Sequence, residues 1–278
     1  MTRLRTLVFA VLLVPLSACL EVDTRVLVKA DGSGTLTERI ELKGPLAQMI
    51  QRMGADATSV IDQKKVEQRA RALGRGVKVS SLKPIPEHEG IGAEAVFTFE
   101  DVNELRVNPN PTASQDSAPA IATSSSPISF SFEPGPPAVL VVGFVGSQAT
   151  ERSTERKTER GGNTTPPAMI KQILEGMRIA ISVAVAGQII ETNASYRDGN
   201  SVILMELDFD KILANPHGLQ ALQSQSDSAA QDMKSALRRI PGMKVEPQAQ
   251  VKIVFVSQQM ASHGGRAAGK SLRVLAGG

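Results

Sequence analysis

Cysteine is almost absent from this chain, with one residue in 278. A single thiol excludes an internal disulfide framework and any site that gathers several cysteines around zinc or an iron–sulfur cluster. Histidine is scarce as well, and His88, His217 and His263 are too scattered for a local metal-binding motif. Aromatic residues make up 3% of the chain: eight Phe, one Tyr and no Trp. That shortage argues against a carbohydrate-stacking or antibody-like surface, and against single-stranded nucleic acid, whose binding needs stacking platforms. No sign of charge dominates, with 31 basic residues against 28 acidic and a formal net charge of +3. Long apolar runs are missing too. The longest beyond the N-terminus is Ala138–Val145, eight residues including Gly143. That length suits a buried strand and falls far short of the ~20 residues that span a bilayer.

What is present begins at the N-terminus. Arg3 and Arg5 precede an apolar run of ten residues, Leu7–Leu16, broken only by Pro15. This run has the size of a signal-peptide core rather than a membrane span. Leu16-Ser17-Ala18-Cys19 follows, with an aliphatic residue, two small residues and then the chain's one cysteine. This looks like a bacterial lipobox, which implies cleavage between Ala18 and Cys19. It also implies a thioether-linked diacylglyceryl group on Cys19 and acylation of the new amine. Stable anchoring takes two lipid signals, and several chains on one residue supply them. The alternative is an ordinary secretory signal with Cys19 as a buried apolar residue. Removing residues 1–18 takes away Arg3 and Arg5, so 31 basic residues become 29 against 28 acidic, about +1. That balance makes no electrostatic case for recruitment to nucleic acid or to an anionic membrane. Leu20, where sorting rules place Asp for retention, points to the outer membrane on its periplasmic side.

Hydrophobic periodicity divides the mature chain into an α+β unit over 19–106, a Pro/Ser-rich loop over 107–127, a second α+β unit over 128–256, and a disordered tail over 257–278. In the first unit, Thr24–Ala30 and Thr35–Leu42 flank Asp31-Gly32-Ser33-Gly34, the pattern of a β-hairpin. Leu36, Ile40 and Leu42 share a face that Glu38 interrupts. Helices are expected from Pro45 to about Met53 and over about 58–73, ended by Gly74 and Gly76. Strands follow at Val77–Leu82 and Ile91–Phe99. Ile128–Phe132 and Ala138–Val145 flank the turn Glu133-Pro134-Gly135-Pro136-Pro137. A four-residue repeat beginning at Thr150, Thr154 and Thr158 reads as a solvated loop, having no apolar face. The second unit continues with a helix from Pro166, strands at Arg178–Val185, Gln188–Tyr196 and Ser201–Phe209, a helical turn from Asp210, a helix over about 218–239, and a strand at Val251–Val256. The expected fold class is α+β: antiparallel sheet packed by helices, in two hairpin/helix units with a Pro/Ser-rich insert.

Catalytic constellations are missing from the pattern. There is no Gly-x-Ser-x-Gly elbow and no phosphate loop, and Gly32-Ser33-Gly34 reads as a turn without a following helix. Glu206, Asp208 and Asp210 alternate, so a strand running through them would place three carboxylates on one face as a weak Ca²⁺ or Mg²⁺ candidate. The competing reading is a polar strand face ending in a helix cap at Asp208 or Asp210. Asn163-Thr164-Thr165 and Asn193-Ala194-Ser195 match glycosylation sequons, which a bacterial lipoprotein does not normally use. Ala180, Ser182 and Ala184 give one strand an unusually small face. It could line a shallow apolar ligand site, or simply let a helix approach closely.

At Ala30-Asp-Gly-Ser-Gly-Thr-Leu-Thr and Glu191-Thr-Asn-Ala-Ser-Tyr-Arg-Asp-Gly-Asn the chain resembles uncharacterised bacterial lipoproteins, and more loosely the LppM-type domain of actinobacterial lipoproteins. The resemblance covers most of the mature chain in outline. The insert at 107–127 and the Thr-Glu-Arg repeat depart from it. It implies a small envelope domain with suspected lipid binding and no established catalysis, and it transfers no binding residue. The expectation is a non-enzymatic lipoprotein without a cofactor. Its partners are the membrane, reached through Cys19, and a lipid or other apolar ligand; the alternative is a scaffold for an envelope protein.

Overall fold

A computed structural model describes residues 19–44, 62–86, 90–108, 127–144, 174–215 and 240–257, together with Ala47, Gln48 and Arg52. Alternating apolar and polar residues fold as strands wherever turn chemistry bounds them. β1 (Cys19–Val28) and β2 (Gly34–Lys43) form the expected hairpin, longer than the apolar pattern alone marks. At its turn Lys29 N donates to Ser33 O at 2.8 Å, and the Asp31 carboxylate accepts from Ser33 N at 3.0 Å. Gly32 supplies φ +84°. α1 (Gln63–Leu73) starts on Asp62, whose side chain accepts from Lys64 N at 2.9 Å, and stops at Gly74. β3 (Lys78–Pro84), β4 (Ile91–Phe99), a 3₁₀ turn (Val102–Glu104), β5 (Arg106–Val107), β6 (Ile128–Glu133) and β7 (Ala138–Phe144) follow. The chain continues through β8 (Arg178–Val185), β9 (Gly187–Thr192), β10 (Arg197–Asp198), β11 (Ser201–Asp208), α2 (Phe209–Ala214), β12 (Met243–Val245) and β13 (Gln250–Ser257).

These strands make two sheets. The larger runs β10-β11-β8-β1-β2-β4-β3 with β12 beside β11, and the smaller runs β5-β6-β7-β13-β9. Every strand pair among the described residues is antiparallel except β1 with β8, which run parallel. The chain changes sheets between β8 and β9 at Ala186, whose N–H donates to Val28 O at 2.8 Å. The inner faces meet in one core. Val26, Leu36, Phe97, Phe99 and Val183 from the larger sheet join Phe130, Phe132, Leu140, Ile253 and Phe255 from the smaller. Ala70 and Leu73 of α1 close one side of it. Phe209 and Ile212 of α2 pack with Ile240 and Met243 in a separate small cluster.

The α+β expectation is therefore corrected. The described chain is mainly β, with two sheets and two helices. Sheet packs on sheet, and one central pairing is parallel. Strands from both expected units, β1 to β4 and β8 with β10 to β12, also share a single sheet. The physical reason is that an apolar strand face is satisfied equally by a helix or by a second sheet. Residues 166–173 of the helix expected from Pro166 to Met177, residues 58–61 of the one expected over about 58–73, the helix expected over about 218–239, most of 45–53, the Thr-Glu-Arg repeat, most of the Pro/Ser-rich loop and the tail beyond Ser257 lie outside the described residues, and of the stretch up to Met177 only Leu174 is helical among those described. No helix among the described residues is long and apolar enough to cross a membrane.

Glu38, which interrupts the apolar face of β2, lies on the inner side opposite Thr24 and Ala95. Arg69 of α1 reaches it, with Nε donating to Oε1 at 3.0 Å and to Oε2 at 3.2 Å. The helix thus brings a partly buried partner to a buried carboxylate.

Candidate functional site

The chemistry-bearing side chains of the larger sheet collect on its outer face, at the end where Cys19 opens β1. Register explains why. Cys19 pairs with Lys43, and Glu21 pairs with both Glu41 and Arg178. Arg178 faces Asp208, and Glu206 faces Lys244. Two glutamates directly opposite each other, Glu21 and Glu41, repel. Lys43 sits between them, with Nζ 3.3 Å from Glu21 Oε2 and 3.1 Å from Glu41 Oε1.

From this point a chain of alternating charge crosses the sheet in both directions. On one side Arg39 Nη2 donates to Glu41 Oε2 at 2.9 Å, and Arg39 Nη1 lies 4.0 Å from Glu94. On the other, Arg178 donates through Nη1 to Glu21 and through Nη2 to Glu206, both at 3.0 Å. Lys244 Nζ then donates to Glu206 Oε2 at 2.6 Å. Four carboxylates and four cations form one ladder across β4, β2, β1, β8, β11 and β12.

The protonation of the ladder follows its contacts. Burial pushes the Glu21 carboxyl up, but hydrogen bonds from Lys43 and Arg178 outweigh it and hold it below the ordinary glutamate value. The Lys244 hydrogen bond does the same for Glu206 against burial, helped by Arg178. The hydrogen bond that Arg178 donates to Glu206 raises the Arg178 pKa. Asp23, on the same face opposite Arg39, behaves in reverse. Burial raises its pKa, and Arg178 and Arg25 offset this only in part.

These opposite shifts set a pH dependence. The lowered carboxylates stabilise the fold above their unfolded pKa near 4, and lose that contribution as pH falls through their depressed folded values. Asp23 is destabilising while ionised, and that penalty disappears as pH falls through its raised folded value. Asp23→Asn is therefore expected to stabilise the protein at pH 7, with the gain shrinking towards pH 4. Urea denaturation at both pH values measures it, and an equal gain at both, or a loss at pH 7, refutes the assignment.

The sequence-derived candidates fall as follows. Ala18 lies outside the described residues, and Cys19 is the first residue of β1. Glu206, Asp208 and Asp210 do not share a strand face, because β11 ends at Asp208. Glu206 belongs to the ladder. Asp208 caps α2, accepting from Lys211 N at 3.2 Å and pairing with Lys211 Nζ at 2.6 Å. Burial pushes the Asp208 carboxyl up, and Lys211 brings it below the ordinary aspartate value. Asp210 accepts from Gly176 N at 2.6 Å. No three His, Cys, Asp or Glu side chains among the described residues are grouped to hold a metal ion. The small-residue stripe lies on the outer face, with Ala180 between Asp23 and Glu206 and Ser182 opposite Arg25. Charged residues flank Ala180 on both sides, while Ser182 also faces Ile203 and Ala184 lies between Leu27 and Ser201.

Asn193 is engaged with the backbone of β13. Its Nδ2 donates to Gln250 O at 3.1 Å, and its Oδ1 accepts from Lys252 N at 2.7 Å. The ladder itself escaped sequence reasoning. Its signal was the alternate charges of Glu21-Val-Asp-Thr-Arg25 and Arg39-Ile-Glu-Leu-Lys43, both facing away from the apolar side of a hairpin.

No protein-family model matches the chain, and no curated protein matches it. Among solved structures, the folded domain of the Mycobacterium tuberculosis protein LppM, determined by NMR, overlays with a TM-score of 0.30 at 10% identity. The overlap covers 88% of this chain and 94% of that one. The overlay is too loose to assign a function.

Proposed function

We propose that this chain is a lipid-anchored protein of the bacterial envelope, held on the membrane by acyl chains on Cys19, with its β-sandwich as a non-enzymatic binding module. The observation that carries the reading is the junction at Cys19. The lipobox-like Leu16-Ser17-Ala18 runs directly into a cysteine that is already the first residue of β1. Every described strand and helix lies in the chain that remains after cleavage. Leu20 favours delivery to the outer membrane on the periplasmic side. The module takes a lipid or other apolar ligand.

One observation favours the second reading, a scaffold for an envelope protein. Ile190 is 53% exposed, a large apolar side chain in the open on β9, the edge strand of the smaller sheet. An open edge is a ready template for strand addition.

The anchoring has a direct test. Cys19→Ala is expected to move the protein from the membrane fraction into soluble or unprocessed forms on fractionation. Continued membrane association with normal cleavage overturns the reading.

A further inference from the structure

We infer that the outer face of the larger sheet is the membrane-facing side of the anchored protein, and that its cations contact the phosphate groups of phospholipid headgroups. This rests on the anchoring of Cys19 proposed above.

Register supplies the first observation. Residues 21, 23 and 25 of β1 lie on the outer face, and position 19 belongs to the same alternate set, opposite Lys43. An anchor at position 19 therefore enters the sheet at the end where the ladder lies. No linker intervenes between it and β1, so that end of the sheet is held within a residue or two of the lipid.

The second observation is how the ladder presents its charge. It is neutral in sum, but its cations stand above its carboxylates. Arg39 is 34% exposed, Lys43 40%, and Arg178 and Lys244 46% each. Glu41, Glu206 and Glu21 are 1%, 17% and 30% exposed. Only the terminal Glu94, at 37%, stands as high as its partner. An anion approaching this face meets ammonium and guanidinium groups first.

Arg25 is the third. It lies on the same face, is exposed, and attracts the partly buried Asp23 from above. A guanidinium offers a planar fork of donors that matches the paired oxygens of a phosphodiester.

Charge balance and anchoring fit together here. A mature chain near neutrality has little long-range pull towards a bilayer. A tether removes the need for one, because it converts docking into an intramolecular event at high effective concentration. Short-range contacts to phosphate then suffice to orient the protein, and they weaken with salt because they lie at an exposed surface.

The test uses the full-length product, purified from bacterial membranes and reconstituted into vesicles of phosphatidylethanolamine and phosphatidylglycerol, so that no other protein is present. A membrane-impermeant amine-acylating reagent is applied to the vesicles and, separately, to the detergent-solubilised protein. Mass spectrometry then reads each lysine. Lys43 and Lys244 are expected to react several-fold less on vesicles than in detergent, and raised salt narrows the difference. Lys64, exposed on α1 at the inner side of the larger sheet, and Lys252, on the outer face of the smaller sheet, react equally in both states. The same digest yields the N-terminal peptide, whose mass reports the acyl chains on Cys19. Acylated Cys19 with Lys43 and Lys244 equally reactive in both states overturns the docking and leaves the anchoring intact. Protection of all four lysines alike also overturns it, since the contact is then not confined to this face. An unmodified Cys19 overturns the anchoring reading and the docking with it.

Discussion

Replacing Arg69 with methionine is expected to destabilise the fold by about 3–5 kcal/mol. The loss comes from what the change leaves behind. Glu38 is 8% exposed on the inner face of β2, among residues that otherwise turn their apolar sides inward. Arg69, itself only 20% exposed, donates to both of its oxygens. Methionine keeps much of the aliphatic stem of arginine but offers no donor, so Glu38 is stranded. For a domain of this size each kcal/mol lowers the melting temperature by roughly 2–4 °C, so the drop should be on the order of 10 °C. Pairing the change with Glu38→Leu removes the stranded charge and is expected to restore most of the stability, because a buried ion pair and a packed apolar pair are often close to equivalent. Urea denaturation of the single and double variants checks both halves. A single-variant loss below about 1 kcal/mol, the range of exposed ion pairs, would falsify the account.

The second large effect is at Gly32, where two separate penalties coincide. Its φ of +84° is left-handed, a region that charges an L-residue about 1–2 kcal/mol. A Cβ there would also come within 2.8 Å of Phe132 Cδ1, on the opposite sheet. Phe132 is buried and stacks at 6.4 Å on Phe255, so it has little room to retreat. Overpacking of this kind costs about 1–3 kcal/mol. Gly32→Ala is therefore expected to lose about 2–5 kcal/mol in all. Gly76 provides the control. Its φ is +78°, and a Cβ there would meet nothing within 4 Å. Gly76→Ala should show the backbone penalty alone. The difference between the two variants in thermal or urea unfolding isolates the contact between the hairpin turn and the second sheet. Equal losses would mean that the contact contributes nothing.

Local pattern carried the strands into view because side-chain alternation is a property of neighbours. Ile91–Phe99 and Arg178–Val185 form strands with the bounds that alternation predicts, and α1 ends where Gly74 breaks it. The turn residues 31–34 were equally readable. What alternation does not contain is the identity of the partner. Nothing within Arg178–Val185 distinguishes a strand that pairs in parallel with β1 from one that pairs with its sequence neighbour. Nor does Gln188–Thr192 reveal that the chain has changed sheets. An inward apolar face is likewise silent about whether a helix or a sheet will cover it, and the expected α+β architecture failed there.

The candidate site divides along the same line. The anchor proposed at Cys19 stands out in the sequence because its signal is a short linear motif. Glu38 was visible as an interruption, but its partner lies 31 residues away on a helix. The ladder's members are visible as charges on alternate positions, while their order across six strands depends on long-range register. The carboxylates 206, 208 and 210 looked equivalent only while β11 was taken to run through them. The strand stops at Asp208, and the three part company.

The parallel pairing of β1 with β8 has a consequence for how the protein is made. Glu21 and Arg178, which it sets side by side, are separated by 157 residues of chain. Synthesis runs from the N-terminus, so the first hairpin exists well before β8 does, and it waits with the β1 edge unpaired. Loops of that length close slowly, and an unpaired strand edge invites the wrong neighbour. The middle of the larger sheet is therefore assembled late, and biogenesis has an interval in which a protective chaperone would matter more than at any time after folding.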